Sequence, residues 1–197
     1  MDKFTVHTGL AAPLRRSDVD TDQIIPAEYL KRVSRTGFED GLFSAWRADP
    51  AFVLNDPAYA GATILVAGAR FGVGSSREHA VWALRDFGFR AVIAPSFGDI
   101  FRTNAVNTGL APIALPAEQV ATLRETVGVD NVLTVDLEQL TITNSCGLRI
   151  PFELDAHTQE TLVHGLDDIA RTLRREAEID AYEATHSARV DTRALPV

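Results

Sequence analysis

The 197-residue sequence has one cysteine, Cys146. It can form no internal disulfide, and one thiolate cannot by itself hold a structural zinc or an iron–sulfur cluster. Any soft-metal chemistry would have to come from another chain. Long apolar runs are missing too: none approaches the roughly 18 residues that cross a bilayer, and residues 1–9 carry no apolar targeting core. The expectation is a chain without a membrane partner and with a cytoplasmic address. Positive charge is in deficit, 19 Lys and Arg against 27 Asp and Glu for a net −8. That balance repels a phosphate backbone and argues against nucleic acid as a partner. Internal repeats and low-complexity linkers are absent as well.

What remains is the composition of a globular protein, 46% hydrophobic and 23% charged. A chain of this length buries roughly 70% of its unfolded surface and folds without staples. We read residues 1–197 as a single domain whose polar tail begins at about residue 186.

Between residues 26 and 60 no period is clean, and Gly37, Gly41, Pro50 and Pro57 interrupt it, which predicts loops with short helices. A β-branched apolar run then predicts a strand over 63–67, a glycine-rich turn, and a helix over 77–87. The alternation continues with strands over 91–94 and 111–115 and a helix over 97–106. A further helix over 117–127 opens at Pro116 and stops at Gly128. Such alternation argues for an α/β core. Strands over 132–137, 140–144 and 148–154, separated by turn residues, look antiparallel. An intermittent apolar stripe predicts helix over 158–184.

The segment from Gly68 to Ala80 carries the chemistry. Three glycines let a ligand approach the backbone, and Ser75, Ser76 and Arg77 stand where a helix begins. Unpaired N–H groups, the positive helix end and a guanidinium fork together suit a carboxylate or a phosphate. Spacing excludes several alternatives. There is no Gly-Lys-Ser/Thr for a phosphate-binding loop, Arg77 occupies the place of the third glycine of a dinucleotide fingerprint, and no Gly-x-Ser-x-Gly elbow exists. Alternating Asp18, Asp20 and Asp22 suggest calcium, but Gln23 and Tyr29 stand where an EF-hand needs glycine and glutamate. A packing turn capped by Ser75 is the bland alternative; two serines, an arginine and a glutamate at one helix start favour the anion site.

The string from Phe71 to Ala80, Phe-Gly-Val-Gly-Ser-Ser-Arg-Glu-His-Ala, closely resembles the active-site loop of the aconitase superfamily's swivelling domain. The runs Val19-Asp20-Thr21-Asp22-Gln23-Ile24-Ile25-Pro26, Tyr29-Leu30-Lys31-Arg32, Arg35-Thr36-Gly37-Phe38 and Ala94-Pro95-Ser96-Phe97-Gly98-Asp99-Ile100-Phe101 resemble the small subunits of 3-isopropylmalate dehydratases. Three positions depart from the family's usual pattern: Arg70 replaces asparagine, Val73 replaces cysteine, and Val81 replaces proline.

The resemblance implies an aconitase-type swivelling α/β domain with a mixed sheet and C-terminal helices. It also implies a hydro-lyase that isomerises 2-isopropylmalate to 3-isopropylmalate in leucine biosynthesis, inactive without a large subunit that holds a [4Fe–4S] cluster. This chain would bind no metal. Ser75 would be the base, as an alkoxide. Ser76 and Arg77 would bind the dicarboxylate substrate, Asp22 would line the site, and Leu30 with Val33 would form the apolar wall that tells this substrate from tricarboxylic acids. Arg32 and Arg35, close by, leave that assignment open. The alternatives are a related hydro-lyase of citramalate or homoaconitate type, a stand-alone small-anion module, and an interaction subunit in which the loop serves assembly alone. His79, His157, His164 and Cys146 are expected to be structural or superficial.

Overall fold

A computed structural model describes residues 1–127 and 132–186 of the chain. The helix stop expected at Gly128 and the tail expected beyond His186 lie outside the described residues. The chain divides into two compact units, Met1–Gly165 and Leu166–Val197.

In chain order the first unit holds β1 (Val6–Pro13), α1 (Thr21–Ile24), α2 (Ser44–Arg47), β2 (Ile64–Val66), α3 (Glu78–Phe87), β3 (Ala91–Ala94), α4 (Asp99–Thr108), β4 (Ala111–Ala114), α5 (Ala117–Thr126), β5 (Val132–Asp136), β6 (Thr141–Asn144), β7 (Arg149–Pro151) and α6 (Ala156–His164). Short 3-10 turns fill part of 27–59, as the broken periodicity there predicts. The second unit holds α7 (Asp168–Leu173) and α8 (Glu176–Thr185).

One seven-stranded sheet runs β4-β3-β2-β1-β5-β6-β7. The pairs β1–β2, β2–β3 and β3–β4 are parallel; β1–β5, β5–β6 and β6–β7 are antiparallel. Strand β1 joins the two halves by pairing Ala11–Pro13 with β2 and Val6–Leu10 with β5. The mixed sheet expected of the resemblance is therefore present. The parallel strands are buried on both faces, which is why they read as continuous apolar runs. Ala12, Leu65, Ala67, Val92 and Ala94 face the layer with Ala80, Val81, Leu84 and Phe101, while Ala11, Ile64, Val66 and Ile93 face Val120, Leu123 and Leu162.

Helix α3 buries Ala80, Val81, Ala83 and Leu84 along one side and ends at Gly88, whose N–H reaches the carbonyls of Leu84 and Arg85. Two expectations need correction. The helix expected over 158–184 is three: Gly165 closes α6, Asp167 accepts from Ala170 N to start α7, and Arg175 leaves helical geometry before α8. The apolar stripe that predicted continuity is intermittent for that reason. Pro116, expected as a first helical residue, is extended and precedes α5 (φ −50°, ψ 141°).

Candidate functional site

Three loops leave the carboxyl ends of the parallel strands β1, β2 and β3 and meet there, where open α/β sheets bind ligands. The loop after β2 lies between the other two. Toward the β1 loop, Gly68 N donates to Arg16 O (2.9 Å), Asp18 N to Ala69 O (2.8 Å), and Gly72 N to Val19 O (2.7 Å). Toward the β3 loop, Phe71 N donates to Ser96 O (3.0 Å) and Gly98 N to Phe71 O (2.9 Å). The approach is so close that a Cβ on Gly98 would stand 2.4 Å from Gly72 O, and one on Gly72, itself at φ +74°, would stand 2.2 Å from Phe101. These glycines are the reason the strings around residues 72 and 98 must occur together.

Gly98→Ala should therefore lower stability by about 2–3 kcal/mol, an overpacking cost against backbone that cannot step aside. Thermal unfolding is expected to show a fall of roughly 5–10 °C; an unchanged midpoint would mean that the two loops are not packed in this way.

At the end of the loop, Ser75 and Ser76 are exposed and Glu78 opens α3. Arg77 occupies the capping position but supplies no side-chain cap. Among the described residues, the N–H groups of Ser75, Ser76 and Glu78 and the hydroxyls of both serines bond to no other protein group. The first turn thus presents unpaired donors and the positive end of a ten-residue helix at one exposed place.

Asp22 is brought to this place by α1. Its carboxylate accepts from Arg77 Nη1, and the Arg77 side chain is only 19% exposed. A guanidinium held on one edge keeps its remaining donors for a second carboxylate. Asp20 accepts from Gln23 N (2.7 Å) while Gln23 Oε1 accepts from Asp20 N (3.0 Å), a reciprocal cap that fixes α1 and so the bearing of Asp22. Asp18 pairs with Arg70, both at positive φ, so Arg70 ties the loop down at its other end.

Leu30 is half-buried and Val33 is 100% exposed. The neighbouring arginines are already engaged. Arg32 donates both terminal nitrogens to the Asp40 carboxylate at 2.7 Å, donates to Gly37 O and lies over the Tyr29 ring at 4.9 Å. The hydrogen bonds from Arg32 hold the Asp40 carboxyl below its ordinary range. Arg35 lies 5.9 Å from the Trp82 ring. The segment from Val33 to Thr36 is thus pinned at its base, and Ser34 closes a small turn by donating to Thr36 O (2.7 Å).

The remaining candidates sit elsewhere. His79 packs edge-on against Phe38 and 4.6 Å from Trp82, and burial lowers its pKa. It is a neutral packing group near pH 7. His157 and His164 are exposed on α6. Cys146 is exposed in the turn between β6 and β7, where Asn144 Oδ1 accepts from its N–H (2.9 Å). One residue escaped the sequence reading: Thr21, 2% exposed, whose Oγ1 donates to Ser75 O (3.0 Å). A threonine between two aspartates reads as a polar turn, and nothing in its neighbours signals a partner 54 positions away.

Residues 1–118 match the aconitase C-terminal domain family, and residues 168–190 match the C-terminal domain of the 3-isopropylmalate dehydratase small subunit. The chain is 60% identical over 190 residues to the 3-isopropylmalate dehydratase small subunit of Frankia alni, covering 95% of this chain and 97% of the relative. It is 58% identical over 196 residues to that of a Parafrankia species, covering 98% and 100%. Among solved structures, 3-isopropylmalate dehydratase from Methanocaldococcus jannaschii superposes with a TM-score of 0.70 at 28% identity, covering 90% of this chain and 99% of the other.

Proposed function

The chain belongs to the 3-isopropylmalate dehydratase small subunit family, and from that premise we propose that its loop over 68–77 is the proton-handling half of a divided active site. The chain is the small subunit of an aconitase-family hydro-lyase of leucine biosynthesis. The reaction removes water from 2-isopropylmalate and returns it at the adjacent carbon to give 3-isopropylmalate. One catalytic part must take a proton from the carbon beside a carboxylate, and another must help the hydroxyl leave.

Ser75 takes the proton in this reading. A serine hydroxyl is far too weakly acidic to be ionised near neutral pH, so the anion has to be stabilised where it forms. The unpaired N–H groups at the start of α3 and the guanidinium of Arg77 supply that field. Arg77, held on one edge by Asp22, would clamp the carboxylate whose charge grows as the proton leaves, and the Ser76 hydroxyl would donate beside it. Such contacts strengthen toward the transition state, which is what raises the rate. The observation that carries the reading is the pairing of an exposed Ser75–Ser76 edge with unpaired donors and the Asp22-held Arg77.

The family implies a [4Fe–4S] cluster. The donor set of this chain does not fit it. Cys146 is the one thiol in the sequence, and no group of three or more His, Cys, Asp or Glu able to hold a metal is found among the described residues. We assign the cluster, and with it the departure of the hydroxyl, to a large subunit that this chain must join. No helix among the described residues is long and apolar enough to cross a membrane, and we place the reaction in the cytoplasm.

Substrate choice falls to Leu30 and Val33. With Arg32 committed to Asp40 and Arg35 lying over Trp82, Val33 is an apolar side chain presented outward, suited to the branched end of isopropylmalate rather than to a third carboxylate. Val33→Arg is expected to lower kcat/KM for isopropylmalate about 30-fold without weakening assembly, since burying an unpaired charge against an isopropyl group is costly. Unaltered kinetics would move specificity elsewhere.

The test of the whole reading is anaerobic mixing of this chain with a cluster-reconstituted large subunit, following the ultraviolet absorbance of the unsaturated diacid. Product is expected only when both chains are present. Confirmed assembly without product would overturn the isopropylmalate assignment, and binding of a dicarboxylate by this chain alone, with no turnover in the complex, would favour a small-anion module.

A further inference from the structure

We propose that Thr21 is a positioning residue for this reaction, acting through one peptide plane; the inference rests on the reading of Ser75 as the base. Segment 19–21 runs beside the glycine loop and grips it repeatedly. Val19 O accepts from Gly72 N (2.7 Å) and Val73 N (3.2 Å), Thr21 N donates to Val73 O (3.0 Å), and Thr21 Oγ1 donates to Ser75 O (3.0 Å). The last of these is the one side-chain bond in the set, and Thr21 makes it while 2% exposed, at the first position of α1.

The consequence follows from peptide geometry. No cis peptide bond occurs among the described residues, and in a planar trans unit the carbonyl of one residue and the N–H of the next point in opposite directions. Holding the Ser75 carbonyl toward α1 therefore aims the Ser76 N–H away from α1. Both serines are exposed, and that N–H bonds to no other protein group among the described residues. Arg77 N also donates to Ser75 O (2.9 Å), but it lies two residues along the same turn and moves with it. The Thr21 hydroxyl is anchored in a different element, so among the described residues it alone ties the plane to the body of the fold. With it, the Ser76 N–H is a fixed donor for charge forming at the Ser75 edge; without it, the plane rocks and the donor is misaimed.

Three variants in the cluster-loaded two-subunit enzyme test this. Thr21→Val keeps shape and loses the donor; Thr21→Ser keeps the donor and loses a methyl; Ser75→Ala tests the underlying reading. Removing an oxyanion donor outright lowers kcat about 10²–10³-fold, so misaiming one is expected to lower kcat roughly 30-fold in Thr21→Val, with KM changed less than about threefold. Thr21→Ser is expected to stay within about threefold of the parent enzyme. If the donor stabilises an alkoxide, its loss raises the base's pKa, so the acid limb of kcat/KM against pH should move upward by roughly one unit in Thr21→Val alone. A residue that merely packs would not move that limb. Equal kcat and an unmoved limb in Thr21→Val would overturn the proposal, as would Thr21→Ser failing as badly as Thr21→Val. Should Thr21→Val not assemble with the large subunit, Thr21→Ala is read in its place, and failure of both to assemble would assign Thr21 to folding instead. Ser75→Ala retaining turnover would remove the base reading itself, a different result from any of these.

Discussion

Ser75→Ala is expected to lower kcat about a thousandfold or more while leaving assembly intact and the melting temperature within roughly 1 °C. The two halves of that expectation have separate causes. The Ser75 side chain is exposed and its hydroxyl makes no bond to the rest of the described residues, so trimming it to a methyl belongs with surface substitutions worth under about 0.5 kcal/mol. What anchors this residue is its carbonyl, which accepts from Thr21 Oγ1 and Arg77 N and is unchanged in alanine. The hydroxyl, by contrast, is the group that the proposed reading has carry the proton to and from carbon, and positioned acid–base groups contribute about 10²–10⁴-fold. The check is kcat at saturating isopropylmalate, with gel filtration and thermal unfolding on the same preparation. Near-normal turnover would take the base role away from Ser75. A large fall in melting temperature would show that the hydroxyl is bonded in the folded chain.

Arg77→Lys is expected to raise KM about 30-fold and to lower kcat as well. The charge is kept, so a loss of this size can come only from geometry. The guanidinium has one edge occupied by Asp22 and its other donors spread in a plane that matches a carboxylate; an ammonium has no second edge to offer. Two charge-assisted hydrogen bonds exchanged for one correspond to about 2 kcal/mol, which is roughly 30-fold. Stability should change little, because the Asp22 partner is 54% exposed and such pairs contribute at most about 1 kcal/mol. Initial rates across substrate concentration decide the matter. An unchanged kcat/KM would mean that Arg77 serves only to hold Asp22.

Much of this could be read along the chain. The parallel strands β2 to β4 are short apolar runs, and helices α3 to α5 are bounded by glycines or proline, so their local signals agree with their final state. Strand β1 is the exception. Its sequence Val-His-Thr-Gly-Leu-Ala-Ala-Pro has neither alternation nor a β-branched run, and it contains Gly9 and Pro13. It is a strand because β2 and β5 flank it, and Gly9 is required because a Cβ there would stand 1.9 Å from Thr63 Oγ1.

The site divides the same way. The gathering of Ser75, Ser76 and Arg77 at a helix start is legible from sequence because glycine freedom and helix-end electrostatics act locally and need no tertiary partner. The opposite held for Arg32, whose charge left the assignment of Leu30 and Val33 open in the sequence and which is consumed by Asp40 and Gly37 beside a fully exposed Val33. Thr21 gave no signal at all, since its bond crosses 54 positions. By itself, then, the sequence determined the kind of elements and the chemistry of one loop, because propensity, capping and helix-end electrostatics act over a few residues. Only the tertiary structure decided which of the polar groups are free to meet a ligand, because whether an arginine or a hydroxyl is already bonded depends on groups the chain brings beside it from far away.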